Sequence, residues 1–229
     1  DNPLPHVVTL LEDTLPSGKT GLSTVWDSKG KKAYIFGGFG KGGYTSQILS
    51  FNPEEANENR VASTLDELPT KRGFTSALWD SARGIAYIFG GYDTTPLAEI
   101  LIFDPSQPEG SRIIPTADTL PIAMASPASV WDDVNNVAYI FLGDSIVKFD
   151  PSQEEGMRIS LFADSFPSYR SNFSASFDSE RGVAFIYGGL ASSPTDEIVE
   201  FDPRKTEGQK VRIVNHLPSP RGRTAAIYD

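Results

Sequence analysis

The segment Ala86-Tyr87-Ile88-Phe89-Gly90-Gly91, which precedes Phe103-Asp104-Pro105, decides the fold because it recurs along the chain. Apolar runs that end in glycine occupy residues 33–38, 86–91, 138–143 and 184–189. Phe-Asn-Pro or Phe-Asp-Pro then follows at 51–53, 103–105, 149–151 and 201–203. Leu-Pro or Phe-Pro separates the units at 15–16, 68–69, 120–121, 166–167 and 217–218. Landmarks that recur in one fixed order indicate a repeat protein.

Each unit has the pattern of four short strands, which we call a, b, c and d. In the second unit they are predicted at residues 74–79, 85–89, 99–103 and 112–116, where β-branched and aromatic residues are frequent. Strand b is apolar on successive residues, as expected for a strand that is buried on both faces. Four-stranded sheets that repeat in this way predict an all-β protein, a β-propeller in which each sheet is one blade.

The landmarks place four complete repeats at residues 17–69, 70–121, 122–167 and 168–218. Residues 1–16 and 219–229 then belong to a partial blade, with an N-terminal d strand at 6–11 and a C-terminal a strand at 223–229. Such a blade would leave strand edges unpaired. We therefore expect a part of a longer chain whose ring has about five to seven blades. The alternative is an intact four-bladed ring with two spare strands.

The double glycine after an apolar b strand and the period of about 50 residues resemble kelch repeats. Leu142 departs from this pattern because it stands where the family has its first glycine. The resemblance covers almost the whole chain and implies a kelch-type β-propeller. It also implies that strand a lies at the central axis, that strand d lies at the rim, and that ligands bind at the mouth, the face formed by the d–a and b–c loops.

Composition excludes several classes of function. The net charge of −10 argues against a nucleic-acid partner, and no apolar run reaches the length of a membrane span. The chain has no cysteine, which excludes disulfides and thiolate chemistry. It therefore lacks the cysteine of copper-radical kelch oxidases, and its only histidines, His6 and His216, do not fit the iron cluster of kelch specifier proteins. We expect no catalytic residue, no metal and no cofactor.

Candidate binding residues concentrate at the mouth. The third residue after each signature proline occupies an equivalent position before strand a; these residues are Lys19, Arg72, Met124, Arg170 and Arg221. The b–c loops add Phe39, Tyr44, Tyr92, Asp93 and Asp144. A basic, aromatic mouth on an acidic protein would attract an anionic ligand. Alternatively, the arginines are structural, and each pairs with an acidic residue of a neighbouring blade or bonds to loop carbonyls. Candidate acids precede each proline; they are Glu12, Asp13, Asp66, Glu67, Asp118 and Asp164.

These features favour a non-catalytic binding or scaffold module over an enzyme. Its expected partner is a protein segment or an anionic small ligand or glycan at the mouth, within a larger assembly. The alternative is a carbohydrate-active enzyme similar to the kelch-type sialic-acid mutarotases. The third unit, with Met124 and a short b–c loop at Gly143-Asp144, predicts a less charged notch, unless the loop merely varies in length. The compartment is not indicated, although Asn172-Phe173-Ser174 has glycosylation spacing.

Overall fold

A computed structural model describes residues 11–226, which form antiparallel sheets with no helix in that range. Four sheets have four strands each, and a fifth, smaller sheet has three. Each four-stranded sheet lies within one of the predicted repeats. In each, the spatial order of the strands is their order in the sequence, so that neighbouring strands are joined by hairpins.

The strands are numbered in chain order. The first blade consists of β2 (Ser23–Asp27), β3 (Lys32–Phe36), β6 (Gln47–Phe51) and β7 (Val61–Glu67). The second consists of β8 (Ser76–Asp80), β9 (Ile85–Phe89), β10 (Glu99–Phe103) and β11 (Ile113–Thr119). The third consists of β12 (Ala128–Asp132), β13 (Val137–Leu142), β14 (Ser145–Phe149) and β15 (Ile159–Ser165). The fourth consists of β16 (Ser174–Asp178), β17 (Val183–Tyr187), β18 (Glu197–Phe201) and β19 (Val211–His216). The small sheet is formed by β1 (Lys19–Thr20), β4 (Phe39–Gly40) and β5 (Gly43–Tyr44).

The predicted strands b and c of the second unit coincide with β9 and β10, whereas the outer strand differs. It extends to Thr119, beyond the predicted end at residue 116. The added segment contains Asp118, which is only 3% exposed. The carboxylate is buried because it accepts hydrogen bonds from the main-chain N–H groups of Gly156 and Arg158 in the next blade.

The four blades pack side by side through their apolar faces. The first strands of neighbouring blades contact one another, β2 with β8, β8 with β12 and β12 with β16, so these strands lie at the axis. Aromatic pairs join strand b of one blade to strand c of the next; they are Phe36–Phe103, Phe89–Phe149 and Phe141–Phe201, with ring centroids 5.4, 5.6 and 5.9 Å apart. Burial on both faces confirms the interpretation of strand b, and the arrangement is β-propeller-like.

A second repeated contact joins the blades at the rim. Asp66 in β7 accepts main-chain hydrogen bonds from Gly110 and Arg112 of the second blade. Asp118 does the same for the third blade. Asp13, which precedes the first blade, accepts from the main chain and the guanidinium of Arg60. Asp13, Asp66 and Asp118 therefore bind arginines of the c–d loops at the rim. They do not pair with Arg72 or Arg170, so that part of the expectation is wrong.

The two terminal strands of the partial blade are seen only in part. The predicted strand at residues 6–11 lies almost wholly outside the described residues, as do residues 227–229 of the predicted final strand. Residues 223–226 are not paired as a strand. Thr224 nevertheless hydrogen-bonds the Ser174 hydroxyl at 2.9 Å, as Thr75 bonds Ser23 at 2.6 Å between the first two blades.

Candidate functional site

The mouth is organised by one backbone position that recurs in every blade. Two residues after Lys19 and after each of its four equivalents, the chain is left-handed. The φ values are 64° at Gly21, 56° at Phe74, 56° at Ser126, 53° at Asn172 and 57° at Arg223. Consecutive blades are joined here by short main-chain hydrogen bonds, since the N–H of Phe74 donates to Gly21 and that of Ser126 donates to Phe74. The left-handed conformation is unfavourable for residues other than glycine, and such strain concentrates at functional sites.

Four of these left-handed residues line one cavity of about 360 Å³. They are Phe74, Ser126, Asn172 and Arg223. The sequence patterns did not single out Phe74, Ser126 or Arg223 for this site, although one signal was available. Gly21 stands at the equivalent position in the first blade, and glycine is the residue that tolerates a positive φ. Asn172, considered only for glycosylation, lies in this cavity, so a glycan on it would occupy the mouth.

Aromatic side chains form one wall of the cavity. Tyr44, on β5 of the small sheet, packs against Tyr92 and Phe74 with centroid distances of 5.9 and 6.4 Å. Phe39 on β4 packs against Tyr44 with ring centroids 4.9 Å apart, and it is 42% exposed. Tyr169, which is 61% exposed, contributes to the lining from the third d–a loop. The expected aromatic character of the mouth therefore has a geometric counterpart at Phe39, Tyr44 and Tyr92.

Arg72 and Arg170 do not reach this cavity. Both side chains are fully buried. The Arg72 guanidinium donates to the carboxylate of Glu99, to the hydroxyl of Thr70 and to the carbonyl of Gly90. Arg170 makes the equivalent bonds to the carboxylate of Glu197, the hydroxyl of Ser168 and the carbonyl of Gly188, and it also donates to the carbonyl of Ser168. Their donors are thus used within the protein, which corrects the expectation that four basic groups converge on a ligand.

Lys19 and Arg221 occupy the same position in the repeat with different surroundings. The Lys19 ammonium donates to the Gln47 side chain at 2.7 Å, and partial burial lowers its pKa. Arg221 is exposed and bonds only the hydroxyl and carbonyl of Ser219 among its described contacts. Met124 is 4% exposed and contributes to the cavity lining. Of the basic groups in this position, Arg221 is therefore the most accessible to a ligand.

The two predicted acidic residues of the b–c loops are held by their own loops. The Asp93 carboxylate accepts hydrogen bonds from the main chain and hydroxyl of Thr94, and from the main chain of Thr95. Asp144 forms the tight turn between β13 and β14 and bonds the Ser145 hydroxyl at 3.3 Å. Neither lines the cavity.

Burial raises the pKa of Tyr44, and the nearby Tyr92 and Asp93 raise it further, so this phenol stays protonated at neutral pH.

Within residues 11–226, no three His, Asp or Glu side chains are close enough together to hold a metal ion. In the same range, no helix has the length and apolar character needed to cross a membrane.

Comparisons with known proteins identify the fold and nothing finer. No protein-family model matches the chain, and no curated protein sequence matches it. Among solved structures, the chain is similar to YjhT, with a TM-score of 0.72 and 12% sequence identity over 91% of this chain and 74% of that chain. At this identity the similarity supports the β-propeller-like fold alone.

Proposed function

We propose that this chain is a kelch-type propeller module that binds an acidic protein segment or another anionic ligand at the mouth. The observation that carries the proposal is the aromatic cavity with Arg223 and Asn172 at its edge. Its volume of about 360 Å³ is suited to a small group or a few side chains. Arg223 and the exposed Arg221 supply positive charge, and the tyrosines supply apolar surface with hydroxyl groups.

The lining of the cavity favours binding over catalysis. Proton transfer to or from a sugar requires a general acid or base within hydrogen-bond reach. No described aspartate or glutamate lines the cavity, and the nearby Tyr44 has a raised pKa. A mutarotase-like activity is the competing proposal. It predicts faster interconversion of sialic-acid anomers, which NMR would detect on addition of the protein.

The proposal is tested by titrating the protein with fluorescein-labelled peptides of eight residues that are acidic, neutral or basic, and by measuring anisotropy. We expect the acidic peptide to bind most tightly and its affinity to fall with salt. Arg223→Gly removes the charge and suits the left-handed backbone, so it should weaken binding about tenfold, or about 1.4 kcal/mol, without loss of stability.

The matched control is Lys29→Ala, which removes an exposed positive charge from the opposite face. Its affinity for the acidic peptide should remain that of the unmodified protein. Equal losses in Arg223→Gly and Lys29→Ala would mean that general charge attraction, and not the mouth, accounts for binding. Absence of any preference for the acidic peptide would also contradict the proposal.

A further inference from the structure

A larger cavity lies on the opposite face, between the third and fourth blades. It has a volume of about 750 Å³, within the range of about 300–1,000 Å³ that small-molecule sites occupy. The walls combine aromatic and charged side chains, including Tyr139, Phe162, Asp132, Lys148 and Arg204. None of these residues belongs to the mouth, so the cavity is a separate site.

The repeats supply an internal comparison for this cavity. In the second blade, Arg83 donates to Asp80 at 2.7 Å. It also extends towards Tyr87 and Asp150, at the joint where the second and third blades meet. The equivalent residue of the third blade is Asn135, whose short side chain donates to Asp132 at 2.7 Å. Asparagine satisfies the same buried carboxylate but leaves empty the space that an arginine would fill.

The rim of the same joint differs from the other two in a second way. Thr64 and Thr116, in β7 and β11, donate to main-chain carbonyls, whereas Phe162 stands at that position in β15 and packs on Tyr139 and Phe201. Lys210 replaces the rim arginine, and its ammonium lies 5.7 Å from the Phe162 ring centroid. Phe162 thereby adds an apolar wall, and Pro203 extends it.

The Lys210 replacement also leaves a buried oxygen unsatisfied. The Oδ1 atom of Asp164 accepts from the main chain of Lys210 at 2.9 Å, but Oδ2 is buried without a hydrogen-bond partner. The equivalent Oδ2 atoms of Asp66 and Asp118 lie 3.5 and 3.4 Å from an arginine nitrogen. An unsatisfied buried carboxylate oxygen costs stability. This joint is therefore not optimised for blade packing alone.

Both cations that line the cavity are paired with aspartates, and Asp132 and Glu180 add further negative charge to its walls. Lys148 lies 3.1 Å from Asp150, and Arg204 binds Asp202 with two hydrogen bonds of 2.9 and 3.1 Å. Burial acts against ionisation of Asp150, but hydrogen bonds from Ser152 and Lys148 outweigh it and lower its pKa to about 2. A charged ligand of either sign would meet like charges here. A hydroxyl group can accept from the cation and donate to the carboxylate of the same pair.

We propose that this cleft binds a neutral carbohydrate of one or two sugar rings. Adjacent hydroxyls of the sugar would bridge the Lys148–Asp150 and Arg204–Asp202 pairs, and the C–H face of a ring would pack on Phe162. The proposal is independent of the function assigned to the mouth.

The test is an NMR titration of the ¹⁵N-labelled protein with millimolar glucose, galactose, mannose, N-acetylglucosamine, maltose and lactose. We expect at least one sugar to shift the amide signals of residues 132–135, 148–152 and 203–204. Asn135→Arg introduces the side chain that the second blade carries, so it should fill the cleft and weaken binding about tenfold or more. Because the change copies a natural arrangement within the chain, the variant should fold normally.

Two further variants make the result specific. Lys29→Ala removes an exposed charge from the a–b loop of the first blade, so it should leave the third-to-fourth cleft and its affinity unchanged. Arg223→Gly should also have no effect, because it alters only the mouth. The proposal is overturned if no sugar of the panel shifts these signals, if a folded Asn135→Arg binds as the unmodified protein does, or if the shifts map to the mouth.

Discussion

The buried arginines tie together two strands of the same blade. Arg72 precedes strand a of the second blade, whereas its acceptor Glu99 begins strand c of that blade. The equivalent pairs vary together between blades; they are Lys19 with Gln47, Arg72 with Glu99, Arg170 with Glu197, and Met124 with Ser145. Where the first residue is lysine or arginine, the second is glutamine or glutamate, whose side-chain oxygen can accept from the cation. Beside Met124, the second residue is a serine.

We expect Arg72→Ala to lower the free energy of unfolding by about 3 kcal/mol. The change leaves the carbonyl of Gly90 without this donor and opens a cavity where the buried side chain was. The matched control is Arg221→Ala, at the equivalent position but exposed, which should cost less than about 0.5 kcal/mol. Urea denaturation of both variants measures the difference. Similar small losses in the two variants would show that the guanidinium of Arg72 does not stabilise the blade.

At this scale, sequence reasoning located the basic positions but not the direction of each side chain. Both roles, ligand contact and structural pairing, were compatible with an arginine before strand a. The choice depends on whether Glu99 lies opposite, and that contact joins residues 27 positions apart. Phe74 and Arg223 were missed for a similar reason. Neither residue type favours a positive φ, so the sequence gives no sign of the left-handed backbone at these positions.

A glycine pair follows strand b in the first, second and fourth blades. Gly37 and Gly38 have φ of 60° and 107°, and Gly90 and Gly91 have 58° and 106°. The first glycine of each pair also lies against the next blade, because a Cβ atom at Gly37 would be 2.2 Å from the carbonyl oxygen of Arg72. The pair thus serves both the turn and the packing of neighbouring blades.

Gly37→Ala should therefore destabilise the protein by about 3 kcal/mol, through backbone strain and the displacement of a neighbouring blade. Gly84→Ala is the control, because its φ is 72° but no atom lies within 4 Å of the added Cβ. We expect about 1 kcal/mol for that variant, from strain alone. Thermal unfolding measures both values. If the two losses were equal, close packing against Arg72 would contribute nothing.

The elements themselves were predicted well where hydrophobic pattern alone decides them. Strands b and c are apolar and bounded by turn residues, so their limits follow from local sequence. The outer strands were predicted less well because they carry buried acids such as Asp66 and Asp118. Their burial depends on main-chain donors in the following blade, which local sequence does not display.

The molecule as a whole has unequal burial along the series of blades. Tyr87 and Phe89 of the second blade are 2% and 0% exposed, because the third blade covers them. Their equivalents in the fourth blade, Phe185 and Tyr187, are only half-buried, and Ile213 on β19 is 43% exposed. The kelch resemblance and a ring of more than four blades stay predictions, whereas this difference in packing is directly measurable.

Hydrogen exchange should follow this gradient. We expect the amides of β17–β19 to exchange faster than the matching amides of β9–β11, since fewer apolar contacts protect the fourth blade from local opening. Mass spectrometry of peptides from both blades, at one pH and temperature, gives the comparison. Equal protection of the two blades would indicate that unfolding is global and that the exposed face carries no local weakness.

The left-handed position at the mouth has a consequence for how recognition could diversify. Main-chain hydrogen bonds fix this position, and the side chains there are Phe74, Ser126, Asn172 and Arg223. The same backbone conformation therefore presents side chains of very different chemistry to the cavity. A library of residues that tolerate a positive φ, placed at these four positions, would vary specificity at little cost to the stability of the blades.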